Sequence, residues 1–319
     1  MKAFFKRTAI FVTVGVILYI AVYAVSEMLV YNYAKRNRFH NVKTAAASTY
    51  DYVILGASHA LPFDFEDMND WLEEMTGTRI INLSIAGGGV VPMRLILDYF
   101  LTEHDTRNVI LFLDSFCFYY RDWNEDRLKD SRLFLRAPFD LTLARLLLSY
   151  GFHQGIDLSI AADYILGFSK INNADRFSED ISEDESRRFH RTYRPSTRRE
   201  NQRIDYLYPT DIDEALFKKY LSEFEEMIEM LKSRGIRLIV IKPPIPTRFY
   251  EKLPNEAQFD AQIGEVLARE GVPFYDFSLV DNDLKLFYNT DHLNHDGVVY
   301  FFDNHLKQVL IQHGPSSQG

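Results

Sequence analysis

Hydrophobic positions fall into three patterns along the chain. The first is continuous. From Thr8 to Ser26 (TAIFVTVGVILYIAVYAVS) no residue is charged, which is roughly the 20 apolar residues a helix needs to cross a bilayer core. Lys2, Lys6 and Arg7 precede the run, Glu27 ends it, and Tyr19, Tyr23, Tyr31 and Tyr33 suit an interfacial belt. The run reads best as an uncleaved signal anchor. The alternatives are a cleaved signal peptide, for which Val22-Tyr23-Ala24 is a loose small-x-small site but the run is long, and a buried core helix. Lys35, Arg36, Arg38 and Lys43 after the span nearly balance the positive charges before it. The early charges lie close to the span, and no later segment reaches transmembrane length. Together these favour an N-terminus inside and a single-pass protein of the cytoplasmic (inner) membrane, its main domain extracytoplasmic. Residues 1–31 are then the anchor, in contact with the lipid bilayer through 8–26. Residues 32–49, closing in the small-residue run Thr44 to Thr49, are a juxtamembrane linker.

The second pattern is a set of short, largely apolar runs, three of them leading into Gly or Pro, as expected for buried parallel strands. They are Tyr52 to Leu55 before Gly56, Arg79 to Leu83 before Ala86-Gly87-Gly88-Gly89, Asn108 to Leu113, Ile236 to Ile241 before Pro243-Pro244, and Val272 to Phe277. The third pattern is amphipathic. Residues 64–76, Pro92 to Glu103, Asp213 to Ser233 (closed by Gly235), Glu256 to Glu270 (closed by Gly271) and Gly297 to Gln312 have helical spacing. Strands alternating with helices predict a three-layer α/β/α domain, with a central, mostly parallel five-stranded sheet, over 50–319. About a hundred residues separate the third and fourth strands. The stretch at about 115–205 is therefore a long insertion. It opens with Phe116, Phe118, Tyr119, Tyr120 and Trp123, which read first as core and second as a sugar-stacking or partner-contacting surface. Within it, 178–203 turns from acidic (SEDISEDES) to basic (RRFHRTYRPSTRRENQR), a solvated loop or else a lid or anion-contacting surface.

Composition narrows the class. The 319 residues are 47% hydrophobic and 25% charged, with a formal net charge of −9, so neither dominant disorder nor broad nucleic-acid binding is expected. A single cysteine, Cys117, can form neither an internal disulfide nor a cysteine-based metal site. No phosphate loop with a lysine and no dinucleotide fingerprint occurs. His292 and His295 stand near Asp291 and Asp296 without a distant third ligand, so no metal and no cofactor is expected.

Ligands on open parallel sheets bind beyond the C-terminal strand ends. There the first strand runs into Gly56-Ala57-Ser58-His59, a tight strand-to-helix turn that would expose the Ser58 hydroxyl. The glycines after the second strand offer bare N–H groups near the same edge. Asn289-Thr290-Asp291-His292-Leu293-Asn294-His295-Asp296-Gly297 precedes the last helix and supplies imidazole and carboxylate. A serine hydroxyl is a weak nucleophile until a positioned base takes its proton, and a carboxylate orients that base. Ser58 also suits an N-cap. His59 reads as a packing neighbour, and His295 as a competing, more exposed histidine.

GAS at 56–58, NLSIAGGG at 82–89 and DHLNHDG at 291–297 resemble the blocks of the SGNH, or GDSL-like, hydrolases over roughly 50–312. More narrowly, LGASHA, NLSIAGGG and DHLNHDGVVYF are similar to the membrane-anchored branch that works beside membrane-bound O-acyltransferases in acylating envelope polysaccharides. The resemblance implies a flavodoxin-like SGNH fold, with Ser58 as nucleophile and His292 as base. Backbone N–H groups of Ser58 and Gly87 would belong to the oxyanion hole. Two departures stand out. The family's acid position, three before the histidine, is Asn289, leaving Asp291 as triad acid or a Ser-His dyad helped by Asn289. The block III asparagine is missing after the third strand, where Asp114 and Ser115 stand instead as candidate site-lining residues. The implied activity is acyl-ester chemistry through an acyl-Ser58 intermediate, with an acyl donor and a polysaccharide acceptor as substrates and a membrane-bound O-acyltransferase as a possible partner. The rivals are a plain esterase or lipase and a catalytically impaired scaffold.

Overall fold

The computed structural model describes residues 1–34, 37–178, 181–280 and 282–314. Lys35 and Arg36 of the expected linker, residues 179 and 180 of the insertion, and 281 and 315–319 of the expected domain lie outside the described residues. The chain divides into two compact units: residues 1–44 with 128–179, and residues 45–127 with 180–319.

The larger unit is the predicted α/β sandwich. Five strands, β1 (Thr49–Gly56), β2 (Ile80–Asn82), β3 (Asp105–Phe112), β4 (Arg237–Lys242) and β5 (Phe274–Asp276), form one all-parallel sheet in the order β2-β1-β3-β4-β5. That is the flavodoxin-like order, and its switch point falls between β1 and β3. Their register, with Gly56 opposite Phe112, brings both C-terminal ends to one level. Val53, Ile54, Leu55, Val109, Ile110, Ile239, Val240 and Ile241 are all buried, as strands covered on both faces require. The helices Glu214–Ser233 and Glu256–Glu270 sit where periodicity placed them. The last helix differs: His295–Phe301 passes through a π turn at Phe302–Leu306 into Lys307–His313. The residues after β1 also differ, since a 3-10 helix, Ser58–Asp64, precedes the helix Met68–Thr76.

The smaller unit is helical. Lys2–Tyr33 is one continuous helix, long and apolar enough to cross a membrane, with a mean hydropathy of 2.3 over its most apolar stretch. Part of the expected linker is helical, as Arg38–Thr44. Much of the insertion belongs to this unit too, including the helices Leu141–His153 and Leu158–Leu166.

Candidate active site

Ser58 stands just past β1 because Gly56 turns the chain there. Gly56 holds φ +155°, and a β-carbon on it would lie 2.9 Å from Ala60 Cβ and 3.0 Å from Phe112 Cβ, so a larger residue would push β1 off the helix it feeds. The Ser58 side chain lines a cavity of about 170 Å³ together with Gly87, Phe116, Trp123, Glu185 and Arg203. Gly87 is also constrained: its φ is +62°, and a β-carbon would meet the Trp123 ring at 2.9 Å. The Gly87 amide donates to no backbone carbonyl among the described residues, which leaves it available to an oxygen in the cavity.

His292 lies on the loop before the last helix and is wholly buried. Its Nδ1 is 3.0 Å from Asn289 Oδ1 and 3.3 Å from Asp291 Oδ1. Both neighbours accept, so the proton of a neutral ring belongs on Nδ1 and the lone pair on Nε2. That Nε2 is buried and has no hydrogen-bond partner. Asn289 therefore occupies the position of the expected carboxylate. The same Oδ1 accepts the backbone N–H groups of Asp291 (3.1 Å) and His292 (2.9 Å), bending the loop so that successive side chains serve one site. Tyr288 stacks on the ring at 5.5 Å between centroids.

Asp291 is buried completely and serves several partners at once. Its Oδ2 accepts from Arg203 Nε at 2.9 Å and lies 3.4 Å from His59 Nε2, while Oδ1 accepts from the Thr290 hydroxyl at 2.6 Å. Burial alone would raise its pKa, but the Arg203 guanidinium, with His292 and His59, holds the carboxyl well below the usual carboxylate range. His59 Nδ1 lies 2.6 Å from Asp114 Oδ1, while its buried Nε2 makes no hydrogen bond and faces Asp291 Oδ2 at 3.4 Å. Burial works against its charge, yet Asp114 and Asp291 together push its pKa up to about 10. His59 is thus an imidazolium at neutral pH, and its ring lies 4.7 Å from that of His292. Two cations, His59 and Arg203, face two carboxylates, Asp114 and Asp291.

The structure links Ser58 to Asp291 through Arg203 and places His292 beside Asp291, without a resting Ser-His-Asp chain. Among the described residues no hydrogen bond links Ser58 Oγ to His292. The hydroxyl instead accepts from Arg203 Nη2 at 3.4 Å, so Arg203 bridges Ser58 and Asp291. Asp114 enters the group through His59. Ser115 does not serve Ser58: its hydroxyl faces Glu256 Oε2 (2.5 Å) and Tyr208 (2.8 Å) in a neighbouring pocket. His295 stacks on His190 at 4.9 Å and donates its backbone N–H to Phe189. A buried asparagine does follow β3, at Asn124, but its amide donates to the carbonyls of Cys117 and Tyr120 and its Oδ1 accepts from Val91, at the start of the helix Val90–Glu103. It is therefore not a third oxyanion donor.

His59, Asp291 and His292 could surround a cation by geometry, their ligand atoms lying within 4.8 Å of one another. The Arg203 guanidinium already donates to Asp291 Oδ2, and His59 Nδ1 lies 2.6 Å from Asp114, so the positive charge beside this group works against a cation there. Arg203 is the main residue that sequence reading missed. The basic run to which it belongs was visible, but nothing in the spacing marks one arginine of that run as a partner for a serine 145 positions away.

No family model matches the chain, and no curated protein matches it. One solved structure to which it is similar is a crystal structure from Bacteroides fragilis, a protein provisionally assigned as an acylhydrolase. The alignment covers 88% of this chain and 92% of that one, at 10% identity and a TM-score of 0.39. A likeness of that strength carries nothing about residues or activity.

Proposed function

We propose that this protein is a membrane-anchored serine acyl-esterase or O-acyltransferase in which Ser58 carries the acyl group and His292 is the base. One observation carries the reading: His292 has Nδ1 held by two acceptors and a bare, buried Nε2, in the same cluster as a serine at the turn after β1. Arg203 leaves Ser58 Oγ, and the hydroxyl passes its proton to His292 Nε2 as the oxygen attacks the acyl carbonyl. The Gly87 and Ser58 amides receive the negative charge on the carbonyl oxygen. His292 returns the proton to the leaving oxygen as its bond to the acyl carbon breaks. An acceptor hydroxyl, deprotonated by the same Nε2, then takes the acyl group and frees Ser58.

The apolar helix Lys2–Tyr33 favours a membrane-bound setting outside the cytoplasm. A cleft of about 620 Å³, lined by Arg188, Arg191, Arg194, Arg199 and Arg203 with Tyr193, Tyr206 and Tyr288, shares Arg203 with the Ser58 cavity. Among the described residues Arg191, Arg194 and Arg199 make no ion pair. In a chain of net charge −9 this concentration of cations favours an acceptor that carries carboxylate or phosphate groups, and so transfer to a polymer over hydrolysis of a small neutral ester.

A second reading is a scaffold without chemistry, favoured by the Arg203 contact that occupies Ser58 Oγ. Complementation separates the two. Ser58→Ala should fail to restore polymer acylation in a deletion strain if Ser58 is the nucleophile, whereas a scaffold would restore it. Acyl transfer to an anionic glycan, compared with release of the free acid, distinguishes the transferase from an esterase.

A further inference from the structure

The helix Lys2–Tyr33 is not bare along its second half. The Tyr19 hydroxyl donates to the Leu166 carbonyl at 2.7 Å. Gly167 sits so close to Tyr23 that a β-carbon on it would fall 2.1 Å from the ring. Ser26 Oγ donates to the Lys170 carbonyl at 2.9 Å, and Glu27 pairs with Lys170 Nζ at 2.6 Å and accepts the Phe139 N–H at 2.7 Å. These contacts fix a depth. Tyr19 precedes Glu27 by eight residues, about 12 Å at ~1.5 Å per residue. Leu166 therefore lies beside the interior of the apolar run and not beside its end.

The side chains around that point suit lipid. Phe152 is 72% exposed, Phe168 62%, Leu166 59%, Leu141 56%, Leu158 41% and Phe139 39%. The helices Leu141–His153 and Leu158–Leu166 bury Leu143, Leu147, Tyr150, Ala161 and Tyr164 on their other faces, so they are apolar nearly all round. The charges are few and mostly engaged. Lys170 is buried on Glu27, and Asp163 accepts the Ser169 N–H. Arg145, His153 and Asp157 remain exposed; Arg145 is long, and His153 and Asp157 stand at the ends of the two helices, where such side chains can reach the headgroups. At 13 and 9 residues, the two helices are too short to cross a bilayer.

We propose that residues 139–168 form a second membrane-embedded element, a helical hairpin that dips into one leaflet beside the anchor without crossing it. This rests on the reading of Thr8 to Ser26 as a span. Its function would be to hold the anchor at a fixed depth and rotation through the Tyr19 and Glu27 contacts. The test uses the full chain in a Cys117→Ala background, reconstituted in vesicles of phosphatidylethanolamine and phosphatidylglycerol. Single Leu166→Cys, Phe168→Cys and Phe152→Cys variants carry an environment-sensitive fluorophore, with Val16→Cys as the anchor control and Met75→Cys and Tyr300→Cys as aqueous controls. The expected result is loss of fluorescence to a lipid-borne quencher at Leu166, Phe168 and Phe152, as at Val16, and protection there from aqueous iodide. Iodide quenching at those three positions with Val16 still protected overturns the hairpin while leaving the anchor. Iodide quenching at Val16 as well overturns the anchor and the hairpin together. Protection of the hairpin positions from both quenchers means burial against another protein chain and also overturns the proposal.

Discussion

Arg203→Met is the perturbation whose size the structure specifies best. It keeps most of the side-chain volume and removes the guanidinium that donates to Asp291 Oδ2 at 2.9 Å. Breaking a buried ion pair by deleting one partner costs about 3–5 kcal/mol. Two features lower that figure here: Arg203 keeps 20% of its side chain exposed, and Asp291 retains the Thr290 hydroxyl and His59. The expected loss of stability at neutral pH is therefore about 2–3 kcal/mol. Its pH dependence has a definite sign. The Asp291 carboxyl is depressed in the folded protein, so the stability it contributes is present above the unfolded value of about 3.9 and disappears as pH falls through the folded value. The deficit of the variant should be full at neutral pH and close in acid. Urea unfolding of the full chain in detergent, followed through Trp71 and Trp123, measures it. A loss under about 0.5 kcal/mol, typical of an exposed pair, or a deficit that does not change with pH would refute the buried bridge.

Gly87→Ala should destabilise the protein by about 1–3 kcal/mol and reduce Ser58 reactivity, because the added carbon meets Trp123 and the residue must keep a positive φ; equal unfolding midpoints would contradict this. His59 makes the opposite pH prediction to Asp291. Its pKa is raised to about 10, so its contribution is complete below about 6.5 and fades as pH rises toward 10. Stability of the wild type should fall over that window more steeply than that of His59→Asn, and parallel curves would show that His59 is not charged. Replacing Arg191, Arg194 and Arg199 together by Gln should weaken binding of a polygalacturonate oligomer about tenfold, the sum of three partly exposed ion pairs. Undiminished binding would remove the cleft from the account.

The sheet was legible in the sequence because its determinants are local. The run Tyr52 to Leu55 stops at Gly56, Ile236 to Ile241 stops before Pro243-Pro244, and the helix Glu256–Glu270 ends at Gly271 as predicted. The positions of Ser58 just past β1 and of Asp291 and His292 on the loop before the last helix follow from local strand and helix signals; their catalytic roles are the proposal made above. What stayed hidden depends on contacts distant in sequence. Arg203 acquires its role from Asp291 and Ser58, and His59 acquires its charge from Asp114. The helices of the insertion were not recognised, since a two-faced apolar segment such as Leu141–His153 has no strong amphipathic period. Asn289, a candidate helper of the His292 base on sequence grounds, has its Oδ1 3.0 Å from His292 Nδ1.

The central claim is that Ser58 is a nucleophile activated by His292. Intact-mass measurement of the full chain after treatment with a fluorophosphonate tests it directly, comparing wild type, Ser58→Ala and His292→Ala. A single phosphonyl adduct is expected on the wild type, mapped to Ser58, with none on Ser58→Ala and a rate reduced by at least about 10² in His292→Ala. No adduct on the wild type, or equal labelling of the His292 variant, would contradict it.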